Sequence, residues 1–284
     1  MWHRQSKALL ALSLALTGFI VLQMLMYAAC TLFGWKAFQY NLLWLCTRWV
    51  HAYGIRAADT FMALFVLGTI GHLAWLTGRQ IVGASRAARK IRGCLSPELT
   101  MQLNRRFGTD GREDIVAVAS SAPVALTVGF VRPTIVLSEG LLAMLNDEEL
   151  EAVVHHERFH SIHRDPLLLM LVMVCARAFW YIPLLQWCHR QFAVTREMLA
   201  DRYAAGRASA YGLGSALLKL ARNARKPGHG LAVATFAGQS VALRIEQLVN
   251  PGASGPKLAL PMRESLVSVI VYGMLFAAFA LSML

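Results

Sequence analysis

The stretch "VVHHERFHSIHRD", Val153 to Asp165, sets four histidines and two carboxylates within thirteen positions. Imidazoles and carboxylates crowded in this way are ligands and acid–base groups in waiting, so the first question is which of them share a face. On a helix turning about 100° per residue, with His156 at the origin, His160 falls near 40°, His163 near 340° and His155 about 100° away. His156 and His163 would stand about 10 Å apart along the axis at about 1.5 Å per residue, too far to grip one ion from a straight helix. The pair is therefore His156 with His160, or His160 with His163. Only the first has a carboxylate directly after its first histidine, giving His156-Glu157-Arg158-Phe159-His160, the HExxH arrangement. There, two imidazoles bind zinc while Glu157 can take a proton from water as general base.

Such a site needs a third protein ligand and an open fourth position. "TREMLADRYA" offers Glu197, with Asp201 four residues on and hence on the same helical face. Glu197 would complete a His, His, Glu set, and Asp201 could accept a hydrogen bond from a ligand imidazole, fixing its tautomer. The competing pattern is an amphipathic helix whose Arg196, Glu197, Asp201 and Arg202 pair on the surface. A competing function is a non-catalytic membrane signalling or scaffold module with a structural metal, which would need a fourth protein ligand such as His163 or His155. Hydrolysis would also need a donor for the oxyanion, and Tyr203, Tyr211, His229 and Arg244 are unranked candidates.

The elements that must position these groups are legible nearby. "IVAVAS" (Ile115 to Ser120) and "TIVLS" (Thr134 to Ser138) read as strands, punctuated by Pro123, Gly129 and Pro133. A helix should follow at "NDEELEAVVHHERFH": Asn146 can cap it, Glu149 completes a capping box, and Asp147 to Glu149 suit the positive helix end. Between the ligands, "DPLLLMLVMVCARAFWYIPLLQWCHR" is apolar enough to suggest a membrane crossing. One crossing would separate the ligands by about 30 Å of bilayer, and two would need about 40 residues, whereas 36 lie between His160 and Glu197. With Arg177 inside and Pro183 as a break, a hairpin of two shorter helices fits, its apolar faces packed in the domain or on the bilayer surface.

The whole chain is nevertheless a membrane protein by composition. Of its 284 residues 56% are hydrophobic and 15% charged, with a mean hydropathy of +0.47. Ala8 to Trp35, Thr60 to Gly78 and Ser265 to Leu284 carry no Asp, Glu, Lys or Arg and are long enough to span, which takes about 20 residues. The first is too long for a signal peptide and reads as an uncleaved anchor. "YNLLWLCTRWV", in the outer loop, is the candidate for a fourth crossing. Half of the net charge of +12 sits between Arg79 and Arg112, directly after the second span. That placement marks a cytoplasmic flank touching anionic lipid and argues against nucleic acid as a partner. The five cysteines show no CxxC pair, and "NPGASGP" reads as a linker. The expected organisation is thus 1–78 with two transmembrane helices (about 8–34 and 58–78), a basic juxtamembrane linker over 79–112, a soluble domain over 113–250, and a C-terminal transmembrane helix over 264–284. The fold class is mainly α with a small β-sheet (α+β), and a homo-oligomer is compatible with the sequence.

The order of these features resembles the BlaR/MecR-type antirepressor membrane zinc metallopeptidases, related to HtpX-like and CAAX prenyl proteases. "SSAPVALTVGFVRPTIVLSEGLLAMLNDEELEAVVHHERFHSIHRDP" is similar to the family's strand, glycine turn, strand, "GLL" and HExxH succession. "REMLAD" looks like its third-ligand motif, and "AYGLGSALLKL" and "RIEQLV" like its later helices. The likeness covers roughly Ser120 to Val249. It implies a cytoplasmic gluzincin-type domain at the inner (cytoplasmic) membrane, Zn²⁺ held by His156, His160 and Glu197, and Glu157 as catalytic base. Asp165, five residues past the second ligand, joins Asp201 in supporting them. Val124, Ala125 and Leu126 would form an edge strand along which an extended peptide pairs. The implied activity is endoproteolysis of a protein or peptide substrate; a transcriptional repressor or signalling regulator, a membrane protein and the chain itself are all compatible. The penicillin-binding sensor that follows the last span in BlaR and MecR proteins has no counterpart before Leu284, so detection of β-lactams is not expected. His155 and Arg158 also stand where the pattern favours apolar or small residues.

Overall fold

The computed structural model describes residues 2–35, 41, 43, 48, 58–108, 113–224, 242–250, 262 and 265–268. Their contacts fall into two units: Met1–Ser6 with Val82–Leu169 and Ala193–Lys257, and Lys7–Ile81 with Met170–Phe192 and Leu258–Leu284.

The second unit is built on apolar helices. α1 (Trp2–Phe33) and the first part of α2 (Ala58–Gly93) are each long and apolar enough to cross a membrane. α2 does not stop at its apolar end: no proline or paired glycine interrupts Arg79–Arg92, whose alanines, arginines and lysine favour helix, and the rod runs on to Gly93. The expected third span, 264–284, lies outside the described residues apart from four helical positions, as does most of "YNLLWLCTRWV". The expected hairpin is present as α6 (Asp165–Ala178) and α7 (Pro183–Ala205), turning at 179–182. Its tip packs against the other apolar helices: Val174, Phe179, Ile182 and Leu185 share a core with Met24, Tyr27, Val66 and Leu76 of α1 and α2. The physical reason is that a helix as uniformly apolar as α6 buries best among others of the same kind.

The first unit holds α3 (Pro97–Phe107), β1 (Ile115–Val118), β2 (Ala125–Val128), β3 (Thr134–Ser138), α4 (Glu139–Met144), α5 (Asp147–Ile162), the adjoining ends of α6 and α7, and α8 (Ala210–Ala224). A helical segment over 242–249, α9, follows. The sheet has the order β1-β3-β2, with β1 parallel and β2 antiparallel to β3. Ile115, Ala117, Ile135 and Leu137 point into a core with Leu141, Leu150, Val153 and Val154. This is a mainly helical α+β chain with a small mixed sheet and membrane-type helices.

Side chains of α3 occupy the outer edge of β1. Asn104 donates to the Ile115 carbonyl at 2.7 Å and accepts from its N–H at 3.2 Å, and Thr100 accepts from Ala117 N–H at 2.9 Å. β2 is the other edge, without a strand partner beyond β3 among the described residues. Gly129, at φ 101°, turns β2 into β3 in a conformation that favours glycine. Gly140 is needed for space, because a Cβ there would overlap the Ser121 carbonyl.

Candidate metal centre

α5 starts where the sequence places it. Asn146 accepts from Glu149 N–H at 2.8 Å, and the Glu149 carboxylate accepts from Asn146 N–H at 2.9 Å. The capping box continues into α8, since Glu149 also accepts from Ser215 at 2.6 Å and Lys219 at 2.6 Å. Burial works against ionisation of Glu149, but Lys219, Ser215 and the Asn146 N–H outweigh it and hold its carboxyl below the ordinary value. α5 ends at Ile162, and Arg164, with φ 52°, turns the chain into α6 with a bend of 61° between the helices. That turn delivers Asp165 back beneath α5.

Three donors converge on the buried face of α5. His156 Nε2 and His160 Nε2 lie 3.2 Å apart, and Glu197 from α7 brings Oε2 to 3.5 Å from the first and Oε1 to 3.5 Å from the second. These are the residues of a potential metal cluster, which includes neither His155 nor His163. The His155 ring faces Tyr203, centroids 6.5 Å apart. The His163 ring lies 4.1 Å from that of Phe159, and its Nδ1 bonds the Phe159 carbonyl at 2.9 Å.

Each imidazole is backed by a carboxylate, and each carboxylate by an arginine. His160 Nδ1 is 2.7 Å from Asp165 Oδ2, and Asp165 Oδ1 is 2.5 Å from Arg196, whose guanidinium also covers the Phe159 ring at 4.7 Å. His156 Nδ1 is 3.0 Å from Asp201 Oδ1, at an angle poorer than a hydrogen bond requires. Arg244 from α9 grips Asp201 with Nε at 2.7 Å and Nη2 at 2.6 Å, and reaches Glu197 with Nη1 at 3.1 Å. Arg196 and Asp201 are buried, so the surface ion-pair pattern considered for this helix is not what these residues form.

The electrostatics follow from this packing. Burial opposes protonation of His156, but the Asp201 and Glu197 carboxylates on either side outweigh it and push its pKa up to about 9. Burial likewise opposes ionisation of Glu197 and Asp201. For Glu197, His156, Arg244 and His160 win and hold it well below the usual range. For Asp201, His156 and Arg244 do the same.

The donor set fits a divalent ion on two counts. A tetrahedral zinc with ligands about 2.0–2.1 Å away would hold its donors about 3.3 Å from one another, close to the 3.2 and 3.5 Å edges here. With His156 deprotonated, as metal binding requires, Glu157, Asp165, Glu197 and Asp201 set against Arg196 and Arg244 leave two negative charges, the amount a divalent cation neutralises.

Glu157 sits beside this set, 8% exposed, and Thr127 Oγ1 of β2 shares one proton between its Oε2 at 2.8 Å and its main-chain oxygen at 2.9 Å. A cavity of about 400 Å³ opens over the group. Ala125 and Leu126 line one side, leucines of α8 another, and Glu157, Glu197 and Arg244 the floor. Val124 lies just before β2 and is held by Ser138, whose hydroxyl accepts from its N–H at 2.8 Å. Among the oxyanion candidates, Arg244 lines this cavity, Tyr211 is 80% exposed away from it, Tyr203 packs on Phe159, and His229 lies outside the described residues. Thr127 and the double use of Arg196 and Arg244 emerge only in the folded chain. Arg196 had a signal, standing directly before Glu197; Thr127 had none, since only the packing of β2 on α5 brings it to Glu157.

The model of a family described as BlaR1 peptidase M56 matches residues 56–248, more than half of the chain. The chain is 30% identical over 106 residues to Protease HtpX of Nitrosococcus oceani, covering 37% of this chain and 35% of that protein. It is 27% identical over 134 residues to a Protease HtpX homolog of Thermodesulfovibrio yellowstonii, covering 45% and 47% respectively. It therefore spans less than half the length of either relative.

Proposed function

Because the chain belongs to the BlaR1 peptidase M56 family, a family of membrane metallopeptidases, we propose that it is a zinc-dependent endopeptidase of a multi-pass inner-membrane protein, with its site on the cytoplasmic side. The observation that carries the reading is the meeting of His156, His160 and Glu197 beside the buried carboxylate of Glu157. The basic flank of α2 supports the orientation.

His156, His160 and Glu197 would hold the ion. When bound, zinc supplies a Lewis-acid charge that acidifies water and polarises a peptide carbonyl. Asp165 accepts from His160 Nδ1–H and so leaves the lone pair on Nε2, where it is needed. Thr127 engages one oxygen of Glu157, leaving the other free to take the proton of the attacking water and return it to the leaving amine. The edge of β2 at Ala125 and Leu126 pairs with an extended segment of the substrate, laying its backbone along the cavity, while Val124 just before it is tied to Ser138. A protein or peptide is the substrate class of this reading, with a regulator in a signalling pathway among the compatible ones.

The test uses the full chain in lipid nanodiscs. Metal content should be one zinc per chain, lost in His156→Ala, His160→Ala and Glu197→Ala. Proteins that accumulate uncleaved in Glu157→Gln membranes, compared with wild type, should be cut by the purified protein and spared after chelation. Absence of bound zinc, or cleavage indifferent to chelation, would overturn the reading.

A further inference from the structure

Arg244 lies 43 positions beyond Asp201 in the chain, yet its guanidinium is nearly buried against the metal donors, 12% exposed. Nε and Nη2 form a two-pronged grip on the two oxygens of Asp201, and Nη1 reaches Glu197 Oε2. With three of its five N–H groups spent on carboxylates and Nη2 also 3.5 Å from His156 Nε2, the side chain is anchored among the metal donors. We propose that Arg244 is a positioning residue for the metal centre: it fixes Asp201 against His156 and Glu197 against both imidazoles, and thereby couples metal affinity to the docking of α9. This rests on the reading that the centre holds zinc.

Two opposing effects must be separated. A cation beside the site repels a divalent ion, whereas the fork removes rotational freedom from a ligand and from the carboxylate behind another. Arg244→Lys keeps the charge and loses the fork, because an ammonium cannot reproduce bidentate geometry. If orientation dominates, the lysine variant must bind metal more weakly even though the charge is unchanged.

The full chain in nanodiscs is titrated with Co²⁺, whose visible absorption reports ligand geometry. Arg244→Lys should bind about 10-fold more weakly or worse, on the scale of losing a group that orients ligands, and its visible band should shift. Asp201→Asn with Arg244→Lys should be no weaker than Asp201→Asn alone, since the arginine acts largely through that carboxylate. Adding Co²⁺ should slow amide exchange over 242–249 in wild type and much less in the lysine variant, a difference that a purely structural role for the arginine would not give. Equal affinity and an unchanged band in Arg244→Lys would overturn the inference while leaving the proposed function intact. A wild-type chain that binds no metal would overturn both.

Discussion

Asp165→Asn removes one oxygen's charge and little volume, so its effect follows from hydrogen-bond roles. Asp165 is 1% exposed, with His160 Nδ1 hydrogen-bonded to one oxygen at 2.7 Å and the Arg196 guanidinium ion-paired with the other at 2.5 Å, at an angle poorer than a hydrogen bond requires. An asparagine can accept on one side only. If its oxygen faces His160, its amide N–H groups confront the arginine, donor against donor. If its oxygen faces Arg196, its amide donates to Nδ1 and drives the imidazole proton onto Nε2, the atom that must be free to bind metal. Either way a buried guanidinium loses its counter-ion, a change worth about 3–5 kcal/mol where such pairs are broken. Metal affinity should fall about 10- to 100-fold. Thermal unfolding of the metal-free full chain reads the first effect, and competition with a fluorescent zinc chelator reads the second. An Asp165→Asn protein that unfolds like wild type and binds zinc within about twofold of it would refute the role given to the carboxylate–arginine pair.

Thr127→Val keeps shape and deletes the hydroxyl on Glu157. It should lower kcat about 10-fold, equivalent to about 1.4 kcal/mol, with KM little changed, as steady-state cleavage of a found substrate would show. Gly140→Ala should destabilise by about 1–3 kcal/mol, seen as a lower Tm, because α4 must move off the Ser121 carbonyl. Glu149 sets a pH dependence. Its folded pKa lies below the ordinary 4.5, so its stabilisation is present above that value and is lost as pH falls through the folded pKa. Wild type and Glu149→Gln should therefore differ in stability near neutral pH and converge in acid, and a gap that stayed constant in acid unfolding would contradict the assignment.

The chemistry was most legible where it was local. The capping box, the HExxH helix and the hairpin between the ligands each depend on spacing within a few turns, and the sequence carries that spacing openly. Residues reached only through tertiary packing were not legible. Thr127 meets Glu157 because β2 lies along α5, and Arg244 was one of four indistinguishable donors until α9 placed it. The apolar run after Asp165 shows the limit of hydropathy: its length argued correctly for a hairpin, but only the packing shows that its tip belongs with α1 and α2.

The most direct test of the central claim is the zinc content and proteolytic rate of Glu157→Gln beside wild type, in the same nanodiscs. One zinc is expected in both, with cleavage slowed at least about 100-fold in the variant, the scale of a general base. Wild-type cleavage by a zinc-loaded Glu157→Gln chain would contradict it.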